Sequence, residues 1–297
     1  MKILVTGASG FVGKNLINRL SPKYCLCGFS RRKTEGINYF EGDIANIEDL
    51  ERAIVNVDTV IHIAGLIRGS KKAFYTTNVL GARNLSILAA RHNIKKIIYV
   101  SSLAAKGPLE KNEPVSYYGY TKRLGELELL KNSHIYNLII LRPPVIYGPH
   151  EQEVYKLIKL AKRTGFFFAL KHMKLSFIYV EDLIDAIDVV LNCQFIGPKV
   201  YTICEDACYD FFEIADIIGY HLAQSIKTVT LPDIILESIF FGFKKSGIFF
   251  DKINEINANL WVCNSNEFMQ DFGFKVKHNL FNGMYKTIRW YRENGWL

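Results

Sequence analysis

The stretch that most constrains this 297-residue chain lies at its start, where Gly7-Ala8-Ser9-Gly10-Phe11-Val12-Gly13 follows the apolar run Ile3-Leu4-Val5. An apolar strand that breaks on glycine and resumes as a helix is the setting a phosphate-binding turn requires. Gly7 permits the tight turn, Gly10 lets backbone approach a pyrophosphate, and Gly13 allows helix and strand to pack closely. Glycines spaced GxxGxxG also suit a strand-helix turn that holds no ligand, so placement at the first such junction carries the weight.

Apolar runs then alternate with helical patterns. Strands are expected over residues 3–5, 24–29, 59–63 and 96–100, with one helix opening at Phe11 and a long one over 74–92. A further helix over 117–130 leads into the strand Leu138-Ile139-Ile140-Leu141, which Arg142-Pro143-Pro144 stops. This alternation predicts an α/β fold, a doubly wound parallel Rossmann-type sheet. Beyond Gly148 the pattern loosens. We expect a dinucleotide-binding core over 1–148, and over 149–297 mostly a smaller C-terminal substrate-binding lobe with some segments returning to the core.

The net charge is +8, but Lys and Arg are scattered, with no basic stripe or reader motif, so a nucleic-acid partner is not expected. Cys25, Cys27, Cys193, Cys204, Cys208 and Cys263 include no CxxC pair and no zinc-like His spacing; they predict buried free thiols in a reducing compartment and no metal. Met1 runs directly into the first strand without a charged and then long apolar leader, which points to the cytoplasm. The most apolar later segment, 234–250, is interrupted by Glu237, Lys244 and Lys245, against a membrane span but compatible with lying on a membrane surface.

Two stretches bear on the ligand of the glycine turn. The second strand ends at Phe29-Ser30-Arg31-Arg32, where an NAD site would carry an acid for the adenosine ribose hydroxyls. Ser30 and Arg31 suit a 2′-phosphate instead, which favours NADP over NAD; a solvated arginine pair is the alternative. Gly42-Asp43-Ile44 follows the expected third strand, so that Asp43 can accept from an adenine amino group or cap the next helix.

At the other end of the cleft, Val100-Ser101-Ser102 closes the strand over 96–100, and Tyr118-Gly119-Tyr120-Thr121-Lys122 puts Tyr118 and Lys122 on one helical face. A phenol is a poor base near neutrality, and a neighbouring ammonium together with a positively charged nicotinamide lowers its pKa. Tyr118 would exchange the hydroxyl proton while a nicotinamide exchanges hydride, Ser102 would hydrogen-bond the reacting oxygen, and Lys122 would hold the nicotinamide ribose. An exposed helical Tyr-Lys pair is the plain alternative.

Taken in order, the GxxGxxG turn, Asp43, Val60-Ile61-His62-Ile63-Ala64-Gly65, Asn78, Ser102, Tyr118-x-x-x-Lys122, the run from Leu141 to Gly148 and Phe177-Ile178-Tyr179-Val180-Glu181-Asp182 resemble the extended short-chain dehydrogenase/reductases. That is the family of NAD(P)-dependent sugar epimerases, dehydratases and ketoreductases. The resemblance spans nearly the whole chain and implies that Phe11, Val12, Ile44, Ala64, Gly65, Asn78, Pro143 and Val145 line the cofactor cleft. It also implies that Ala104, Pro144, Tyr147 and Tyr179 line the substrate side, and that the chain forms a homodimer through helices near 71–92 and 117–131.

The sequence departs from that pattern in two places. Family dehydratases carry Asp-Glu after the strand-end hydroxyl residue, where this chain has Leu103-Ala104, so elimination of water is disfavoured. Nucleotide-sugar members carry Arg-Asp before Phe-Ile-Tyr-Val, where this chain has Leu175-Ser176; Lys171 or Lys174 would have to grip a diphosphate. Phe166-Phe167-Phe168, Ile239-Phe240-Phe241 and Ile248-Phe249-Phe250 fit core packing or an apolar pocket. The expected partner is thus a small-molecule substrate, first a nucleotide-linked sugar and next an apolar sterol-, flavonoid- or lipid-like alcohol. A non-catalytic redox sensor is the third reading.

Overall fold

A computed structural model of the chain describes residues 1–33, 36–109, 111–170, 173–230, 254–255 and 258–297. The apolar segment 234–250, with its two aromatic clusters, and Lys171 lie outside the described residues.

Short strands, almost wholly buried except at the exposed edge strand Asn38–Glu41, give the frame. β1 (Lys2–Thr6), β2 (Cys25–Ser30), β3 (Asn38–Glu41), β4 (Thr59–His62), β5 (Lys96–Val100) and β6 (Asn137–Arg142) pair in parallel in the order β6-β5-β4-β1-β2-β3. Their side chains split by parity between two cores, as a sheet covered on both faces demands. Ile3, Val5, Ile98, Val100, Ile139 and Leu141 face one way, and Leu4, Tyr99, Leu138 and Ile140 the other.

α1 (Phe11–Leu20) covers the first face. α2 (Ile47–Ile54), capped by Asn46, covers the second. The long helix expected over 74–92 begins earlier, at α3 (Lys71–Phe74), where the Ser70 hydroxyl accepts from the Ala73 N–H at 3.2 Å. It then widens into a π turn over Tyr75–Leu80 before α4 (Gly81–Arg91). α5 (Leu103–Lys106) and α6 (Tyr117–Leu130) follow β5. The strand order reverses between β1 and β4, which opens a crevice at the carboxyl ends of those strands.

Beyond Gly148 the chain alternates between lobe and core. β7 (Val145–Tyr147), α7 (Glu153–Thr164), β8 (Phe166–Ala169) and β9 (Lys174–Tyr179) begin the lobe. α8 (Val180–Asn192) then packs against α1, and β10 (Lys199–Thr202) joins the main sheet beside β6, making seven strands. β11 (Cys208–Asp210), α9 (Phe211–Leu222), β12 (Lys227–Thr230), β13 (Leu260–Trp261), α10 (Asn266–Phe272) and α11 (Leu280–Glu293) complete the order. β9 is the hub, pairing with β7, β11 and β13, while β8 pairs with β12.

The cysteine expectation holds in part: all six thiols are free, but only Cys27 and Cys204 are buried, while Cys193 and Cys263 are half-buried and Cys25 and Cys208, each the first residue of a strand, are exposed. Among the described residues no helix is long and apolar enough to cross a membrane, and no cluster of side chains could hold a metal ion.

Candidate active site

The glycine turn is fixed by sterics. Gly7 has φ +76°, and a Cβ there would sit 2.7 Å from the Ala64 nitrogen; one on Gly13 would sit 2.3 Å from the Gly7 oxygen. The Gly10 N–H donates to the Gly7 oxygen at 3.0 Å, and with Gly10 at its N-cap α1 has no side-chain cap. Its leading N–H groups therefore suit an anion, and the cradle fits a pyrophosphate that approaches backbone closely. Val12 is buried and Phe11 half-buried against the sheet, so these two support the turn.

Around the adenosine end, the Ser30 hydroxyl donates to the Arg32 oxygen at 2.8 Å, and Arg31 is exposed beside it. Asp43 does not cap α2; Asn46 does, and Asp43 Oδ1 accepts from the Ala45 N–H at 2.9 Å in a local turn. The Ile44 side chain is turned into the core, where a Cβ on Gly81 would lie 2.8 Å from it.

Ala64 and Gly65 follow β4 at the crevice. The Ala64 N–H donates to the Thr6 hydroxyl at 3.3 Å, and the Cβ position of Gly65 lies 3.5 Å from both Asn78 Oδ1 and Lys122 Nζ. Asn78, buried in the π turn, accepts from the Leu66 N–H at 2.7 Å and donates to the Leu66 oxygen and the Thr121 hydroxyl at 3.1 Å each. One side chain thus ties the loop after Gly65 to α6 beside Lys122. The π turn is what aims it there, as such bulges often do at functional sites.

α5 and α6 bring Ser102 and Tyr118 together. Ser102 caps α5 by accepting from the Ala104 N–H at 3.1 Å, and the Leu103 N–H donates to the Pro143 oxygen at 2.8 Å, which sets Ser102 beside the end of β6. Ser116 caps α6 by accepting from the Gly119 N–H at 3.0 Å. A Cβ on Gly119 would lie 2.3 Å from the Ala104 oxygen, so this glycine lets α6 press against α5. The Tyr118 hydroxyl is hydrogen-bonded to Ser102, yet burial, with the Glu255 carboxylate nearby, pushes its phenol up to about 12.

Lys122 lies one helical turn after Tyr118 on α6. Its ammonium donates to the Val100 oxygen at 2.9 Å and sits 4.3 Å from the centre of the Tyr99 ring, and burial pushes it down to about 7, partly offset by Glu126. Desolvation dominates both groups. Under Lys122 lie residues assigned no role from the sequence: Tyr99 stacked on His62 at 5.0 Å, and His62 bonded through Nδ1 to the Thr6 hydroxyl at 2.7 Å. Burial pushes His62 down to about 3, so it is neutral at working pH. The Lys-x-x-x-Glu spacing from Lys122 to Glu126 was the available signal for the carboxylate below.

The substrate side is partly as expected. Leu103, Ala104, Met173, Ala258 and Trp261 form an apolar cluster against which Tyr118, Leu170, Leu175 and Phe211 pack. Pro143 is buried, with Pro144 and Val145 half-buried at its edge. Tyr147 and Tyr179, expected at the substrate, are instead enclosed in the lobe's core, their rings 5.5 Å apart. Tyr147 donates to the Asn279 oxygen at 3.3 Å and Tyr179 to Glu181 at 3.4 Å. Glu255 enters from the C-terminal lobe: its Oε1 accepts from the Ser116 hydroxyl at 2.7 Å, and its peptide oxygen accepts from the Trp261 indole at 2.8 Å.

Comparison with known proteins agrees with this arrangement. The NAD dependent epimerase/dehydratase family matches residues 3–204. The chain is 26% identical to a ceramide reductase of Caulobacter vibrioides, over 99% of this chain and 96% of that protein. It is 27% identical to a UDP-glucose 4-epimerase of Vibrio cholerae, over 97% and 94% of the two. The fold superposes on the Bordetella bronchiseptica enzyme WbmG, solved with NAD and UDP, with a TM-score of 0.82 at 18% identity, covering 99% of this chain and 95% of that one. With the family match running from β1 to the residues after β10, across the glycine turn, Ser102, Tyr118 and Lys122, the chain belongs to the NAD dependent epimerase/dehydratase family of extended short-chain dehydrogenase/reductase enzymes.

Proposed function

We propose that this enzyme is an NAD(P)-dependent ketoreductase or hydroxyl dehydrogenase whose secondary alcohol or ketone is carried on an apolar, lipid-like molecule. The observation that carries this reading is the apolar cluster packed on Tyr118, with Leu175 in it at the position where nucleotide-sugar members hold an arginine. Hydrocarbon is stabilised on such a surface, whereas a diphosphate there would be stripped of water with no guanidinium to replace it. The ceramide reductase that aligns along nearly the whole chain supports the same substrate class.

When bound, a nicotinamide dinucleotide supplies or takes up the hydride. The residues of this chain do the rest. The turn over residues 7–13 would hold the pyrophosphate, Ser30 and Arg31 would hold a 2′-phosphate, and Asp43 would accept from the adenine amino group. Asn78 fixes the loop after Gly65, and Lys122 would hold the ribose nearest the reaction. Tyr118, protonated at neutral pH, hydrogen-bonds the substrate oxygen and gives up its proton as the ketone is reduced. Ser102 donates a second hydrogen bond to the same oxygen. Two such subunits pair through the exposed faces of α4 and α6.

Incubating the purified chain with NADPH or NADH and either a long-chain ketone or UDP-glucose tests the reading. Stoichiometric oxidation of the cofactor by the ketone, lost by roughly two to four orders of magnitude in Tyr118→Phe, is expected. Epimerisation of UDP-glucose with no net cofactor change would replace this reading with the nucleotide-sugar one.

A further inference from the structure

The outer surface of α7 and β8 is unusual for a face turned to water. A surface helix normally presents polar residues outward. Here Leu157 and Leu160 are 50% and 44% exposed, and the strand that follows leaves Phe166 and Phe168 43% and 46% exposed. Lys159, Lys162 and Arg163 are exposed on the same helix, and Lys227 is exposed opposite Phe166 on β12. The acid of this helix, Glu153, is already held by Lys156 at 3.1 Å and by Arg68. Four large apolar side chains within twelve residues, with exposed cations on the same helix and on the paired strand β12, make a patch of defined chemistry rather than scattered surface residues.

Strand alternation connects this patch to the catalytic side. Phe167 and Ala169 point inward, Phe167 lying 6.2 Å from the Phe211 ring. The next residue, Leu170, packs into the apolar cluster that holds Ala104 and Tyr118. Within five residues the chain passes from exposed phenylalanine to the ground beside the reacting groups.

We propose that the outer face of α7 and β8 docks on the surface of an anionic lipid bilayer, with the two leucines and two phenylalanines in the acyl boundary and the cations at the headgroups. Charge complementarity selects this occupant, since a purely hydrophobic protein partner would not require the exposed cations of α7 and β12 beside the apolar residues. As a delivery route for substrate, the proposal rests on the apolar-substrate reading above; as a binding surface it is measured without turnover.

Co-sedimentation of the full chain with vesicles of phosphatidylcholine, alone or with about one-third phosphatidylglycerol, tests it. The chain is expected to pellet with the anionic vesicles and to be released by added salt. The variant Lys159→Glu/Lys162→Glu/Arg163→Glu is expected to weaken binding at least about tenfold. Phe166→Ser/Phe168→Ser is expected to weaken it with no change in melting temperature. Absence of binding to anionic vesicles, or binding that neither variant alters, overturns the proposal. So does a change in oligomeric state of the Phe166→Ser/Phe168→Ser protein without vesicles, which would assign the patch to a second copy of the chain. If vesicles bind while the ketone is not reduced, the failure lies with the substrate reading; if the ketone is reduced without vesicle binding, it lies with the docking surface.

Discussion

Arg142, the last residue of β6, closes a two-point ion pair on Glu126 of the catalytic helix, with Nε to Oε1 at 2.9 Å and Nη2 to Oε2 at 2.5 Å. Ser101 donates to the same carboxylate at 2.5 Å. The end of β5, the end of β6 and the turn of α6 below Lys122 are thereby locked to one another.

Removing one partner of a pair this enclosed leaves the other charge unsatisfied. Glu126→Gln is expected to destabilise the fold by about 3 kcal/mol and lower the melting temperature by roughly ten degrees. Glu126→Leu/Arg142→Met, which removes both charges, should recover most of that loss in a thermal melt. If the double variant were as unstable as the single one, the pair would be contributing packing rather than charge compensation.

The buried ammonium makes a pH prediction with a definite sign. Lys122 is held at about 7, below the ordinary lysine value of 10.5, by burial, with Glu126 opposing. Between those values the folded chain binds fewer protons than the unfolded chain, so this group's contribution makes stability rise with pH. The penalty is full below about pH 7 and fades above it. Lys122→Met, which lacks the ammonium, should therefore gain most on the parent protein at pH 6 and least at pH 9, the melting temperatures converging by a few degrees. A difference independent of pH would contradict the lowered value.

Arg31 sets the cofactor preference if it holds a 2′-phosphate. Arg31→Ala is expected to weaken NADP binding roughly tenfold or more and leave NAD unchanged, read by fluorescence titration. Tighter NAD than NADP binding by the parent protein would remove that role.

The proposed homodimer rests on α4 and α6, where Tyr120 and Leu127 on α6 and Ile87 on α4 are large exposed apolar side chains. Leu127→Arg is expected to shift sedimentation velocity from dimer to monomer. A single species of unchanged size in both proteins would place any interface elsewhere.

How much of this was readable in advance follows from where each constraint resides. The glycine turn and the face shared by Tyr118 and Lys122 are local: a positive φ, a close approach and a four-residue period are all written in consecutive residues. The bounds of α6 and β5 came out as read for the same reason. Lys122 bonded to Val100, Tyr99 stacked on His62 and Glu255 reaching Ser116 depend on residues brought together by the fold, and no local period announces them. Tyr147 and Tyr179 show the reverse error. Their motifs suggested contact with substrate, but tertiary packing against α11 enclosed both.

The return of α8 and β10 to the main sheet has a consequence for engineering. Because the chain leaves the lobe, shields one face of the core, lengthens its edge beside β6 and re-enters the lobe, no single cut separates the two regions. Exchanging specificity between relatives therefore needs two transplanted segments, one on each side of residues 180–202, with the intervening stretch kept from the recipient.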